Sequence, residues 1–538
     1  MFVQQLEPVA GSLILSALVA ALPLLTVLVL LGGLRMKAHW AGLAGLAVAV
    51  AVALLAYRMP FGQTVSSGVQ GALFGLFPIL WIVVNALWVY RMTVLTHHFD
   101  ILRRSFGRLA DDPRIQALVI GFCFGALLEA LAGFGAPVAI CAVMLVALGF
   151  DPARAAVVAL VANTAPVAFG AMGTPVVTLA QITGLPLDSV ASVVGRQTPL
   201  LALVVPLLLV IIVDGRRGLR ETWLPALVCG LAFAVAQFTA SNFLSVQLAD
   251  IVAALAGAAA LMAVPAARRP AAEPVRATVL TGVRSADLDQ QDPRREVVRA
   301  YAPYALIVAV FSVAQIPPVK SLLARATRVF DWPFLHVAGP DGTPVSGNDF
   351  SLPLIATGGT LVLFAGVLSA VVLGVGAGPA LREWGATVHE LRYAVLTVTS
   401  VLALAYVMNL SGQAATIGHF VAAAGAGLAF LSPVLGWFGV AVSGSDTSSN
   451  ALFGALQVSA AHESGLPPDL LAAANSSGGV LGKMISPQNL TIACAAVGLK
   501  GREGDLLRKV LPWSLGLLLV MCVIVVLQST AVLSWMLP

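Results

Sequence analysis

Apolar stretches recur at near-regular intervals along the chain, near residues 11–34, 39–57, 67–90, 115–132, 136–150, 155–175, 197–213, 223–240 and 244–265. A second series follows near 301–317, 353–377, 391–411 and 418–440, then a broken stretch from 443 to 496 and a last span near 511–536. A helix needs about 20 apolar residues to cross a bilayer, so the shorter stretches predict half-helices or re-entrant hairpins rather than full spans. The first stretch follows an acidic start at Glu7 and lacks a basic flank, which predicts a retained first helix rather than a cleaved signal.

Composition places this pattern in a membrane. Hydrophobic residues make up 59% of 538 positions and charged residues 10%, against roughly a quarter charged in soluble proteins. The 50 Gly and 31 Pro fit, because membrane helices tolerate both where neighbours satisfy the freed backbone. A net charge of +5 does not point to nucleic acid, since the basic residues form no stripe or run. The five cysteines, at 123, 141, 229, 494 and 522, show no metal-ligand spacing and read as small core residues, so no metal or cofactor is expected.

The scattered Lys and Arg instead assign sides, because cytoplasmic loops carry the positive excess. Arg35 and Lys37, then Arg91, Arg103, Arg104 and Arg108, then Arg216, Arg217 and Arg220 mark three inside loops, as do Lys500, Arg502, Arg508 and Lys509. The polar linker 266–300, with net charge +2, also falls inside, between a first membrane half (1–265) and a second (301–538). The segment from Pro318 to Leu352 is expected outside as a short amphipathic helix and a loop, and both termini come out external.

The most informative feature is an internal repeat. One copy runs Asn163-Thr-Ala-Pro-Val-Ala-Phe-Gly170-Ala-Met172-Gly-Thr174-Pro175, the other Asn475-Ser-Ser-Gly-Gly-Val-Leu-Gly482-Lys-Met484-Ile-Ser486-Pro487. Asn, Gly, Met and the hydroxyl-Pro pair fall at the same offsets, and self-similarity in register marks repeated architecture. The loop charges run the first copy outward and the second inward, so the copies are inverted. Inverted repeats with interrupted helices are a signature of secondary transporters, whose substrate lies between the halves. The expected fold is therefore an all-α polytopic membrane protein with two inverted-topology repeats, broken helices near 163–175 and 475–487, and re-entrant hairpins.

Upstream of each copy lies a second polar break. The first is Glu129-Ala-Leu-Ala-Gly133-Phe-Gly135-Ala-Pro137, and the second is Ser443-Gly-Ser445-Asp446-Thr447-Ser-Ser-Asn450. A charge at membrane depth costs on the order of 3 kcal/mol on insertion scales, so Glu129 and Asp446 are candidate proton-coupling groups. They are the only acids the sequence reading puts in the interior near the breaks. Opened helix ends offer free N–H groups to an anion. The candidate substrate ligands are therefore Gly135, Asn163, Thr164, Ser443, Ser445, Thr447, Asn475, Ser476, Ser477 and Lys483, with Lys483 either an anion anchor or a counter-ion for Asp446 or Glu129.

Six strings carry a family resemblance: LLEALAGFGAPVAI (127–140), ANTAPVAFGAMGTP (162–175), SVVGRQTP (192–199), AYVMNLSG (405–412), SGSDTSSNALFGALQ (443–457) and AANSSGGVLGKMISPQ (473–488). Together they resemble the lactate permease family, over roughly Gly71 to Trp513. The resemblance implies a proton-coupled importer of L-lactate, D-lactate and glycolate in the bacterial cytoplasmic (inner) membrane. More distantly the paired Asn-Thr and Asn-Ser breaks resemble the ion transporter superfamily, which implies a scaffold able to form a homodimer and leaves sodium as the alternative coupling ion. Among other classes, no His-Glu-x-x-His or Gly-x-Ser-x-Gly supports an enzyme, and paired single carboxylates do not suit a channel's rings of ligands.

Overall fold

The computed structural model describes residues 1–538 except 35, 108, 111, 134, 266–290, 341, 346 and 347. The basic markers Arg35 and Arg108 and most of the expected linker at 266–300 lie outside the described residues. Among the described residues ten helices are long and apolar enough to cross a membrane, and eleven if the pair Pro152–Ala162 and Val167–Thr183, bent by 62°, counts as one span. The stretches near 136–150 and 353–377 form shorter apolar helices, Ala136–Ala147 and Gly358–Leu373. The body is helical, as expected, and two small strand pairings lie beside it. Thr327–Asp331 pairs antiparallel with Asp349–Pro353, and Phe2–Val3 pairs parallel with Val337–Ala338, so the segment after the short helix Pro317–Ala324 is partly extended.

The helices sort by what surrounds them. Leu13–Gly33 leaves Ile14, Leu18, Leu22 and Leu25 exposed, the face that a helix presents to lipid. Pro113–Leu131 is apolar and wholly buried, as befits a helix at the centre of the body. The two spans expected at 197–213 and 223–240 run as Leu187–Thr239, interrupted where Asp214 and Gly215 leave helical geometry. There the Arg114 guanidinium binds Asp214 at 3.2 Å and Glu221 at 2.6 Å. Nearby in the sequence, Arg104 binds Asp292 at 2.6 Å, and His98 lies 3.1 Å from Glu296. The end of the linker thus docks beside the basic segment that carries Arg103 and Arg104.

Eight helices build the centre: α1 Gly125–Ala132, α2 Ala136–Ala147, α3 Pro152–Ala162, α4 Gly170–Thr183, α5 Leu428–Ser443, α6 Asp446–Ser464, α7 Pro468–Gly482 and α8 Pro487–Ala496. In each half a helical hairpin precedes a broken helix. The first hairpin turns at Gly135, which has φ +87°, and the second at Gly444, φ +74°, a conformation that favours glycine. Polar caps start the helices that follow: Asp151 accepts from the Arg154 N–H, Ser445 from Ser448 and Ser486 from Asn489.

The two breaks differ in kind. In the first, α3 ends at Ala162, a short turn covers Val167–Phe169, and Ala171, Met172 and Gly173 all take positive φ before α4 proceeds. In the second, Asn475, Ser476 and Ser477 lie inside α7, and the chain leaves the helix only at Lys483–Ile485. The expectation that Asn475 and its serines open a helix end is thereby corrected. The glycines that follow serve close packing: a Cβ on Gly478 would stand 2.2 Å from the Pro433 carbonyl oxygen, and one on Gly482 would stand 2.2 Å from that of Trp437. This lets α7 press against α5, the small-residue contact that membrane helices use. Gly478→Val is expected to abolish recovery of monodisperse protein in detergent, measured by size-exclusion chromatography. Wild-type yield and elution would remove this role.

Candidate functional site

A cavity of about 150 Å³ opens between the two hairpins and the first broken helix. Its polar lining includes Glu129 on α1, Thr174 on α4, Ser443, Ser445, Asp446, Thr447 and Ser448 at the α5–α6 turn, Lys483 after α7, Gln488 on α8 and Thr397. Six of the expected residues therefore share one wall: Glu129, Ser443, Ser445, Asp446, Thr447 and Lys483.

The centre of the cavity is an ion pair across the halves. The Lys483 ammonium donates to Glu129 Oε1 at 2.6 Å, and the Asn163 amide donates to Oε2 at 3.0 Å. All three residues are buried, with Glu129 3% and Lys483 6% exposed. Of the alternatives open for Lys483, the structure has it paired with Glu129. Gly170 makes room for this carboxylate, because a Cβ there would lie 2.7 Å from Oε1. The left-handed Ala171 and Met172 beside it are costly for residues with side chains, and such geometry gathers where function demands it. Thr174 donates to the carbonyls of Gly170 and Ala171, satisfying acceptors that the break frees.

Asp446 begins α6 and is 3% exposed. Its Oδ2 accepts from Ser476 Oγ at 2.6 Å and from the Asn450 amide at 3.4 Å, while Oδ1 is buried without a hydrogen-bond partner. Asn450 donates also to the Pro175 carbonyl, 3.2 Å away on α4, and accepts from Asn475 at 2.9 Å. Asn475 in turn accepts from Gln457, which is bonded to Ser432. The two repeat asparagines thus act differently: Asn163 holds a cavity carboxylate directly, and Asn475 braces α5, α6 and α7 two bonds behind the other one.

Several expected ligands do not reach the cavity. Gly135 is spent on the hairpin turn, packed on Ile492 and Asn489. Thr164 donates to the Val161 carbonyl at 2.6 Å. Asn475, Ser476 and Ser477 are fully buried in the helical body of α7, where Ser477 Oγ has no partner. Their helix never unwinds there, so they offer no free amide to a solute.

The structure also adds a carboxylate that the sequence reading omitted. Asp250, 1% exposed at the start of Ala249–Ala263, accepts through Oδ1 from the Gln237 amide at 3.2 Å. Glu129 and Asp446 are therefore not the only interior acids near the breaks, contrary to what the sequence leads one to expect. In the sequence Asp250 sits at the mouth of a span among Ser245 and Gln247, where an acid reads as interfacial, and only the packing of Leu187–Thr239 over it takes it inside.

A many-spanning helical body, with an ion pair between two hairpin and broken-helix units around a small polar cavity, is the architecture of a membrane transporter rather than an enzyme. The chain belongs to the L-lactate permease family, whose sequence profile matches residues 16–532. It is 44% identical to an L-lactate permease of Bacillus subtilis (strain 168), over 99% of both chains. It is 39% identical to the glycolate permease GlcA of Escherichia coli (strain K12), over 96% of both chains. Among solved structures, the YdaH transporter of Alcanivorax borkumensis gives a TM-score of 0.44 at 18% identity, covering 85% of this chain and 86% of that one.

Proposed function

We propose that this protein imports lactate and related 2-hydroxy monocarboxylates such as glycolate across the bacterial cytoplasmic membrane by proton symport. The observation that carries this reading is the buried Lys483–Glu129 pair on the cavity wall. A lactate carboxylate entering the cavity competes with Glu129 for the Lys483 ammonium. Protonating Glu129 releases Lys483 to the substrate, so the cavity keeps the same net charge with solute bound as without it. Proton and anion then cross together, because either alone would leave an unbalanced charge in a low-dielectric interior. The hydroxyl-bearing wall of Ser443, Ser445 and Thr447 supplies partners for the 2-hydroxyl and the second carboxylate oxygen.

We also read the halves 1–265 and 301–538 as inverted repeats joined by a cytoplasmic linker at 266–300, with both termini external and with assembly as a homodimer. The membrane and its lipids, a small organic anion and a proton are the partners this reading requires. A second reading, sodium symport, is favoured by the Asp446 Oδ1 and Ser477 Oγ, two buried oxygens without partners.

Proteoliposomes should accumulate labelled lactate saturably on an inward proton gradient. Excess glycolate should compete, and propionate should compete at least tenfold more weakly, because the hydroxyls that bind the 2-oxygen are left unpaired. Leak without saturation, or equal competition by propionate, would reject the reading.

A further inference from the structure

Asp250 takes no part in the exchange just described, yet it is a carboxylate sealed in the interior. Among the described residues its Oδ1 has a single donor, the neutral amide of Gln237, and its Oδ2 is buried without a hydrogen-bond partner. Among the described residues no cation lies within ion-pair distance of it; the charged groups that act on it across the packing are Glu129 and Lys483. A permanently ionised aspartate at this depth calls for a cation, and a permanently protonated one calls for an acceptor for its O–H. Among the described residues Asp250 has neither, a setting that suits a group alternating between the two states.

Its surroundings connect it to the first break. The Gln237 amide that donates to Asp250 also donates to the Ala165 carbonyl, 3.2 Å away in the unwound segment between α3 and α4. Two residues earlier, Asn163 holds Glu129. On the same side Gly173 lies close enough to the Val246 carbonyl that a Cβ would meet it at 3.2 Å. Asp250 and the residues before it are therefore packed against the first break, the same segment whose Asn163 holds Glu129.

We propose that Asp250 is a second proton-binding site, loaded and emptied once per transport cycle through the opening of the first broken helix. The inference rests on the proton-symport reading. It implies two protons for each lactate anion, hence one net positive charge moved inward per cycle. Transport would then respond to membrane potential as well as to pH.

Reconstituted protein can be tested with a potassium diffusion potential set by valinomycin at equal pH on both sides. Wild-type protein is expected to accumulate lactate on an inside-negative potential alone. Asp250→Asn, which keeps an acceptor for Gln237, is expected to lose that response while still accumulating lactate on a pH gradient. A second measurement needs no variant: the reversal potential of wild-type lactate flux should report two protons per lactate. A ratio of one, or an Asp250→Asn protein that still answers to potential, overturns the proposal while leaving proton symport standing. Absence of uptake on a pH gradient in the wild type overturns both.

Discussion

Lys483→Ala is expected to abolish lactate accumulation and lactate exchange together, and to destabilise the folded protein by about 3–5 kcal/mol, the range for a buried ion pair stripped of one partner. Transport should fail because the anion loses, among the described residues, the cation that lines the cavity. Stability falls because Glu129, 3% exposed, is left with the Asn163 amide as its remaining named partner. The two effects separate in the double variant. Adding Glu129→Gln removes the stranded charge, so denaturation in detergent should return most of the lost stability while transport stays absent. A Lys483→Ala protein that exchanges lactate at wild-type rate would refute the anchor role. A double variant no more stable than the single one would show that the loss comes from packing of the lysine stem rather than from an unpaired carboxylate.

Much of this site is readable from residue order, and the part that is not has a physical cause. Hydrophobic spacing sets out the spans, and the two carboxylate-bearing breaks announce the hairpins, because Gly135 and Gly444 sit where a reversal requires positive φ. Their meeting across more than 300 residues is not readable: only packing brings Lys483 to Glu129 rather than to Asp446. The repeat led to an assumption of equal geometry at Asn163 and Asn475. Yet Ser476-Ser477-Gly478-Gly479 stays helical, because its small side chains let α7 bury against α5, a more favourable use of small residues than unwinding. Asp250 escapes for the opposite reason, since its depth is set by helices that the local sequence does not contain.

In an Asp250→Asn background, which removes the second proton proposed above, Glu129→Gln is expected to uncouple the carrier. The amide imitates the protonated acid in shape and charge, so Lys483 is permanently free for an anion, and lactate should bind and exchange without a proton. Counterflow should therefore persist at part of the wild-type rate, while accumulation on an inward pH gradient should fall at least tenfold, to the level reached by exchange alone. The experiment also separates the two coupling ions. With proton coupling at Glu129, wild-type accumulation rises on external acidification and is unchanged when choline replaces sodium. With sodium held at the unpartnered Asp446 Oδ1, it collapses in choline, and Asp446→Asn rather than Glu129→Gln removes the driving force. A double variant that still concentrates lactate on a pH gradient would transfer the proton to another acid, and Asp446, buried in the cavity lining, is positioned to receive it.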